Sequence, residues 1–220
     1  MDVLQFITDP SHDFTGHTIE YLQICGISIV LALVIGVVLG VAVSRSPFMA
    51  FIAVNLSGLM RAIPVIVFLI AAIPLIGTGD PPTLAALVVL GIPPILLNTY
   101  TGIRGIDPAI IDAAKGMGLT TWQIITRIQT PLVLPIIAAG VRTSAVQIVA
   151  TATLAAFIGA GGYGDYIVDG FNTFKNAEIL AGAIPVAILA MMIELVMSWL
   201  QRILTPEGLR QQASVEVAKA

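Results

Sequence analysis

Apolar runs long enough to cross a lipid bilayer recur along this chain, and they constrain it more than any motif does. A hydrocarbon core of about 30 Å needs roughly twenty apolar residues of helix. Residues 21–43, 57–77, 83–103, 133–158 and 179–202 each meet that length with few ionisable side chains. Only 10 % of the residues are charged and the mean hydropathy is +0.99, outside the range of a soluble globular domain. The expected fold is an all-α polytopic membrane protein, one domain over residues 1–220, with five spans. Its single cysteine, Cys25, lies inside the first run, which excludes a disulfide framework and predicts a buried, inert thiol. The first twenty residues lack a basic segment ahead of an apolar core and cleavage site, so the first span is expected to do the targeting itself.

Local signals refine the runs. Gly26, Gly36 and Gly40 give the first span small faces for close helix contact, with Gly36 and Gly40 four residues apart. The apolar run 48–77 is longer than one span needs and is interrupted by Arg61 and Pro64. It reads as an interfacial lead-in followed by the span 57–77, with Arg61 snorkelling toward the side of Arg45. Pro93-Pro94 should kink or break the third span. The fourth is expected to end at the glycine run 159–164, ahead of a polar loop holding Asp165, Asp169, Lys175 and Glu178. His12 and His17 have no ligand-like partners in sequence and read as solvated loop residues.

With five spans, Arg45, Arg104, Lys115, Arg127, Arg202, Arg210 and Lys219 fall on one side and only Lys175 on the other. The positive-inside rule then places the N-terminus outside and the C-terminus in the cytoplasm. Splitting 48–77 into two spans would divide the basic residues between the two sides, which disfavours six spans.

One long internal stretch cannot sit in lipid: Asp107 to Pro131, DPAIIDAAKGMGLTTWQIITRIQTP. Asp107, Asp112, Lys115 and Arg127 are too many charges for a span. Its helix grammar is good twice over. Asp107 precedes Pro108 as a cap ahead of the first helical residue. Gly116 or Gly118 can end that helix in a left-handed turn, and Thr120 with Gln123 forms a capping box for a second. Pro131 marks the end of that helix or the start of the next element. Two short helices with Ile110, Ile111, Ala113, Ala114, Met117, Trp122 and Ile125 free to pack form either a docking surface or a plain interfacial connector.

Enzyme constellations are missing. There is no GxxxxGK[ST], HExxH, GxSxG or Cys/His cluster, so no catalytic residue, metal site or cofactor is expected, and nothing suggests nucleic acid as a partner. The GAGGYG run opens no βαβ unit; Gly159, Gly161, Gly162 and Gly164 read as an outer gate or as simple helix termination. Arg142 and Glu194 fall at similar depth in the fourth and fifth spans, where an unpaired charge is costly, so they are expected to pair. That pair serves as a structural clamp or as part of a transport path. Thr143, Gln147 and Thr151 recur every fourth residue as one polar stripe, suited to a water-lined path or to helix packing. Phe68, Tyr100, Phe157 and Trp199 are scattered, so an aromatic cage for a cation is expected on another protein.

The segment 107–131 resembles the EAA motif of ABC-importer permeases: Glu-Ala-Ala, three residues, Gly, nine residues, Ile, one residue, Leu-Pro. Here it stands as Asp112-Ala113-Ala114, Gly118, Ile128 and Thr130-Pro131, with Asp for Glu, Thr for Leu and the spacing intact. The stretches NTYTGIRGIDPAIIDAAKGMG, LPIIAAGVRT, ATLAAFIGAGGYGD and ILAGAIPVAILA look like the osmoprotectant branch, which handles glycine betaine, carnitine, choline and related compounds. The resemblance implies a type I importer permease fold in the bacterial inner membrane. It also implies two cytoplasmic ATP-binding subunits docked on Asp112, Ala113, Ala114, Gly118, Ile128 and Pro131. A second permease copy or paralogue and a separate extracytoplasmic binding protein complete the expected assembly, with lipid around it. A methionine- or amino-acid-type permease shares the motif; an autonomous channel or secondary carrier would need no partner and no ordered cytoplasmic knob.

Overall fold

A computed structural model describes residues 3–9 and 12–205. Arg210 and Lys219, counted above among the basic residues of one side, lie outside them. The described chain is a succession of helices: α1 (Val3–Thr8), α2 (Phe14–Ser44), α3 (Pro47–Ala62), α4 (Val65–Ile76), α5 (Asp80–Arg104), α6 (Pro108–Gly116), α7 (Thr121–Ile124), α8 (Thr130–Ala152), α9 (Tyr163–Thr173) and α10 (Asn176–Leu204). A π-helical turn, Ile125–Gln129, joins α7 to α8, and a 3₁₀ helix, Thr153–Ile158, follows α8.

Small residues decide how the long helices meet. A Cβ on Gly36 would lie 2.8 Å from the Ile95 Cβ, and one on Gly40 would lie 2.9 Å from the Leu96 carbonyl oxygen. Helices α2 and α5 therefore approach with backbone nearly touching and run in the same direction. Gly140 of α8 is closed in the same way by the Pro94 carbonyl and the Asn98 Cβ, each 2.8 Å from its Cβ position, so α8 runs antiparallel to α5. Gly26 has open space around it and takes no part. The core, with Cys25, Ala32, Leu87, Ile95, Ile148 and Val149, lies between these three helices. Helix α10 flanks α8 and α9 and leaves most of its surface uncovered.

Several expectations change on this frame. Helix α2 begins at Phe14, capped by Asp13, whose carboxylate accepts from the Gly16 N–H, so it starts a turn or more ahead of residue 21. The stretch 57–77 is not one helix: the chain breaks between Ala62 and Val65 and α4 turns 95° from α3. Pro64 is the cause, since it supplies no N–H and holds Ile63 extended. Among the described residues four helices are long and apolar enough to cross a bilayer; α3 and α4 together make a fifth only as a broken span. Conversely, α5 continues through Pro93-Pro94 without a break. The polar stretch after the glycine run is also a helix, α9, which carries Asp165 and Asp169.

The parallel and antiparallel pairings put Ser44, Arg104, the segment 107–131 and Leu204 at one end of the bundle. Arg45, Arg104, Lys115, Arg127 and Arg202 thus share that end. The opposite end holds α1, α9 and the turn at Gly79, whose N–H donates to the Ile158 carbonyl at 2.8 Å.

Candidate functional site: an exposed knob at one end and a charge pair at mid-depth

At the basic end, α6 and α7 form a knob. The Asp107 carboxylate accepts from the Ala109 N–H at 2.8 Å and starts α6. Gly118, at φ +80°, ends it: the Gly118 N–H donates to Lys115 O at 2.9 Å and the Leu119 N–H to Ala114 O at 3.2 Å. The Thr120–Gln123 capping box is complete, with both reciprocal bonds made. The second helix, however, is not a separate short unit. It passes through the π turn and past Pro131 as one continuous helix from Thr121 to Ile158. Pro131 falls in the first turn of α8, where its missing N–H is tolerated because the π turn has already shifted the bonding pattern. The knob is therefore continuous with a helix that crosses the whole bundle.

Ala114 and Ile124 are buried within the knob, whereas Met117 and Trp122 are more than 70 % exposed. Asp112 pairs with Lys115 at 3.3 Å, and both remain in solvent, which makes this a weak surface pair. An exposed Trp and Met rimmed by charges, on a tip held by two caps, is the composition of a docking surface.

At mid-bundle the Arg142 Nε donates to Glu194 Oε1 at 2.8 Å, and a second guanidinium nitrogen reaches the same oxygen. Depth follows from packing. Gly140 abuts Pro94 and the Ser144 hydroxyl donates to the Gly91 carbonyl at 2.9 Å, so Arg142 is level with the centre of α5. The pair lines an open groove between α8 and α10 together with Thr143, Gln147 and Gln201. Within the polar stripe, Thr143 donates to Ala139 O and Thr151 to Gln147 O. Both threonine hydroxyls are thus satisfied by their own helix; Gln147 presents its amide to the groove.

The glycine run lies at the other end. Gly159, Gly161 and Gly162 all have positive φ, and Gly164 packs directly on the Thr153 carbonyl. A Cβ on Gly161 would sit 2.7 Å from the Glu20 carboxylate, so the run is pressed onto the start of α2. Sequence reading missed what surrounds it. His12 stacks on Phe6 with ring centres 3.8 Å apart, and His17 meets the edge of Tyr166 at 4.8 Å; neither is a solvated loop residue. Phe14 and Tyr21 pack on Tyr163, the Tyr163 hydroxyl bonds Thr18 at 2.9 Å, and the Tyr166 hydroxyl donates to His12 O at 2.5 Å. The N-terminal segment is strapped to α9 by aromatic rings. The sequence offers Phe6, Phe14 and Tyr21 on one segment and Tyr163 and Tyr166 on another, with no matching spacing to pair them.

Comparison with known proteins places this geometry. Residues 32–207 match the family model described as the binding-protein-dependent transport system inner membrane component. The chain is 37 % identical over 209 residues to the carnitine transport permease protein OpuCB of Listeria monocytogenes, covering 95 % of this chain and 96 % of that one. It is 38 % identical over 213 residues to the glycine betaine/carnitine/choline transport system permease protein OpuCB of Bacillus subtilis, covering 97 % and 98 %. Among solved structures, an inward-facing MetNI methionine ABC transporter superposes with a TM-score of 0.77 at 21 % identity, over 90 % of this chain and all of that one. That likeness concerns the fold. The chain belongs to the family of binding-protein-dependent transport system inner membrane components, the multi-pass permease subunits of ABC importers.

Proposed function

We propose that this chain is the permease subunit of an importer for osmoprotectants, quaternary ammonium solutes of the glycine betaine, carnitine and choline type. The supporting observation is the full-length similarity to relatives named for these solutes, at 31–38 % identity over most of each chain. The knob at 107–124 is the seat of a cytoplasmic ATPase, one on each of two permeases, and Asp112, Ala113, Ala114, Gly118, Ile128 and Pro131 form its frame. ATP-driven closure of the ATPase moves the knob, and the unbroken helix 121–158 carries the movement to mid-depth, where Arg142, Glu194, Thr143, Gln147 and Thr151 border the path. Gly159, Gly161, Gly162 and Gly164 hinge its outer end. The solute arrives from a binding protein on the side of α9, so the N-terminus lies outside and the knob in the cytoplasm of a bacterial inner membrane.

Co-expression with the ATPase and binding protein, followed by uptake of labelled glycine betaine, carnitine and choline into proteoliposomes, tests the reading. Uptake that requires ATP and falls sharply in Gly118→Val, together with co-purification of the ATPase by the wild type, is expected. ATP-independent uptake, or equal ATPase recovery with Gly118→Val, would favour an autonomous carrier instead. Uptake of methionine in preference to the ammonium solutes would assign the methionine-type alternative.

A further inference from the structure

The groove between α8 and α10 is polar where a bundle surface facing lipid would be apolar. Arg142, Thr143, Gln147, Glu194 and Gln201 line it, around an open volume of about 460 Å³. That volume is within the roughly 300–1,000 Å³ of small-molecule pockets. On α8 its wall reaches from Ala139 to Ala150, about 16 Å at 1.5 Å per residue, so the groove runs lengthwise along the bundle. Two charges and an amide at membrane depth face a water-filled passage or protein, not hydrocarbon. The ion pair ties the two walls together. Arg142 stands on α8 and Glu194 on α10, and the Arg142 Nε and a second guanidinium nitrogen converge on the one oxygen Oε1. Both side chains are also open to the groove, 35 % and 40 % exposed, so a solute within it meets both.

We propose that this pair is a latch across the path, which a zwitterionic solute opens by exchanging partners: the solute carboxylate takes Arg142 and its quaternary ammonium takes Glu194. The proposal rests on the osmoprotectant reading above and adds how the path itself selects among such solutes. Separating the pair unaided would leave two uncompensated charges at mid-depth, the expensive way to break a desolvated ion pair. A betaine or carnitine molecule carries both complements, so each charge keeps an opposite throughout. Its carboxylate fits the planar donor fork of the guanidinium. Choline has only the cation: it can take Glu194 but leaves Arg142 without a partner. A ligand shifts an equilibrium only by its differential affinity for the two states, so the latch favours carboxylate-bearing solutes over choline.

The test reads initial uptake rates of glycine betaine, carnitine and choline in proteoliposomes that carry the same ATPase and binding protein throughout, so the binding protein's selectivity cancels between variants. Arg142→Gln with Glu194→Gln replaces the ion pair by two amides that can still bond each other and need no counter-charge. The ratio of betaine or carnitine uptake to choline uptake is expected to fall about 10- to 100-fold, as for loss of a charge-assisted contact, with the choline rate held or raised. The exchange Arg142→Glu with Glu194→Arg keeps both charges and a zwitterion can enter it reversed, so its ratio should stay close to that of wild type at lower absolute rates. An unchanged ratio in the double amide, even with every rate lowered, would mark the pair as a structural clamp or a contact with the second permease and overturn the proposal. So would a ratio that collapses as far in the exchange variant as in the double amide. If the double amide does not fold, spin labels at the exposed Ile136 of α8 and Trp199 of α10 read the same latch in an otherwise unaltered complex. The labels should move apart with glycine betaine and ATP but not with choline and ATP; an equal response to both overturns the proposal. A wild type that carries choline but neither carboxylate solute also overturns it and leaves the osmoprotectant reading standing, whereas carriage of none of the three removes both.

Discussion

The backbone of Gly118 offers the sharpest handle on the coupling knob. It sits at φ +80° and nothing lies within 4 Å of where a Cβ would be, so substitution there meets no steric obstacle and perturbs only the backbone conformation. For an L-residue other than asparagine or aspartate the left-handed region costs roughly 1–2 kcal/mol. The closing turn of α6 depends on that conformation, since it lets the Gly118 and Leu119 N–H groups reach Lys115 O and Ala114 O. Helix α6 has nine residues and cannot hold itself without the turn. Destabilising the turn by 1–2 kcal/mol should lower the ratio of closed to open knobs about 5- to 30-fold. Gly118→Ala is therefore expected to lose amide protection at Gly118 and Leu119 by that factor, with a parallel loss of ATP-driven uptake. Gly118→Asn should keep most of both, because asparagine visits the left-handed region readily. Gly118→Val should be the worst of the three. Hydrogen exchange in nanodiscs and uptake in proteoliposomes provide the two readouts. If Ala and Asn behave alike in both, or if Val is no worse than Ala, the left-handed turn is not what the glycine supplies and the reasoning fails.

Three further outcomes follow from other contacts. Arg142→Glu and Glu194→Arg should each abolish uptake, and the double exchange should restore part of it, since the pair bridges α8 and α10 directly; a dead double variant in a folded protein would count against the pairing. Gly140→Ala forces a methyl group against the Pro94 carbonyl and should cost about 1–3 kcal/mol, read as a lowered melting temperature in detergent, whereas Gly26→Ala in open space should leave it unchanged. Asp165 has its carboxyl raised above the usual 3.8, first by burial and then by Asp169 and Glu20, with His17 opposing. A raised pKa in the folded state means the protonated form is favoured there, so the stability it confers is full below 3.8 and is lost as pH climbs through the raised value. Asp165→Asn should therefore flatten the melting temperature across the mildly acidic range and raise it at neutral pH; an unchanged profile would show that the carboxyl does not titrate with folding.

How much of this was legible in the sequence depends on the range of the interaction that fixes each element. The caps at Asp107, Gly118 and Thr120 span two to five residues, so their grammar can be read directly and the structure keeps it. The Arg142–Glu194 pair is 52 residues apart, yet it was still legible because a charge at that depth has few alternatives. The α3–α4 break, the unbroken path through Pro131 and the aromatic strap were not legible, and the reasons differ. Proline is ambiguous on its own. Ile63 and Pro64 are exposed, so little packing holds the axis straight at the break, whereas Pro93 and Pro94 are buried inside α5, where the Gly36, Gly91 and Gly140 contacts fix both neighbours against it. Neighbours decide whether a proline bends a membrane helix, and neighbours are a tertiary property. The same principle accounts for Arg61. Counted along the chain, it is a charge at the fourteenth residue of the apolar run 48–77 that could swing to either interface. Set beside the centre of α5 at a helix break, it lies at mid-depth on the rim of a cavity and so does not reach the end where Arg45 lies.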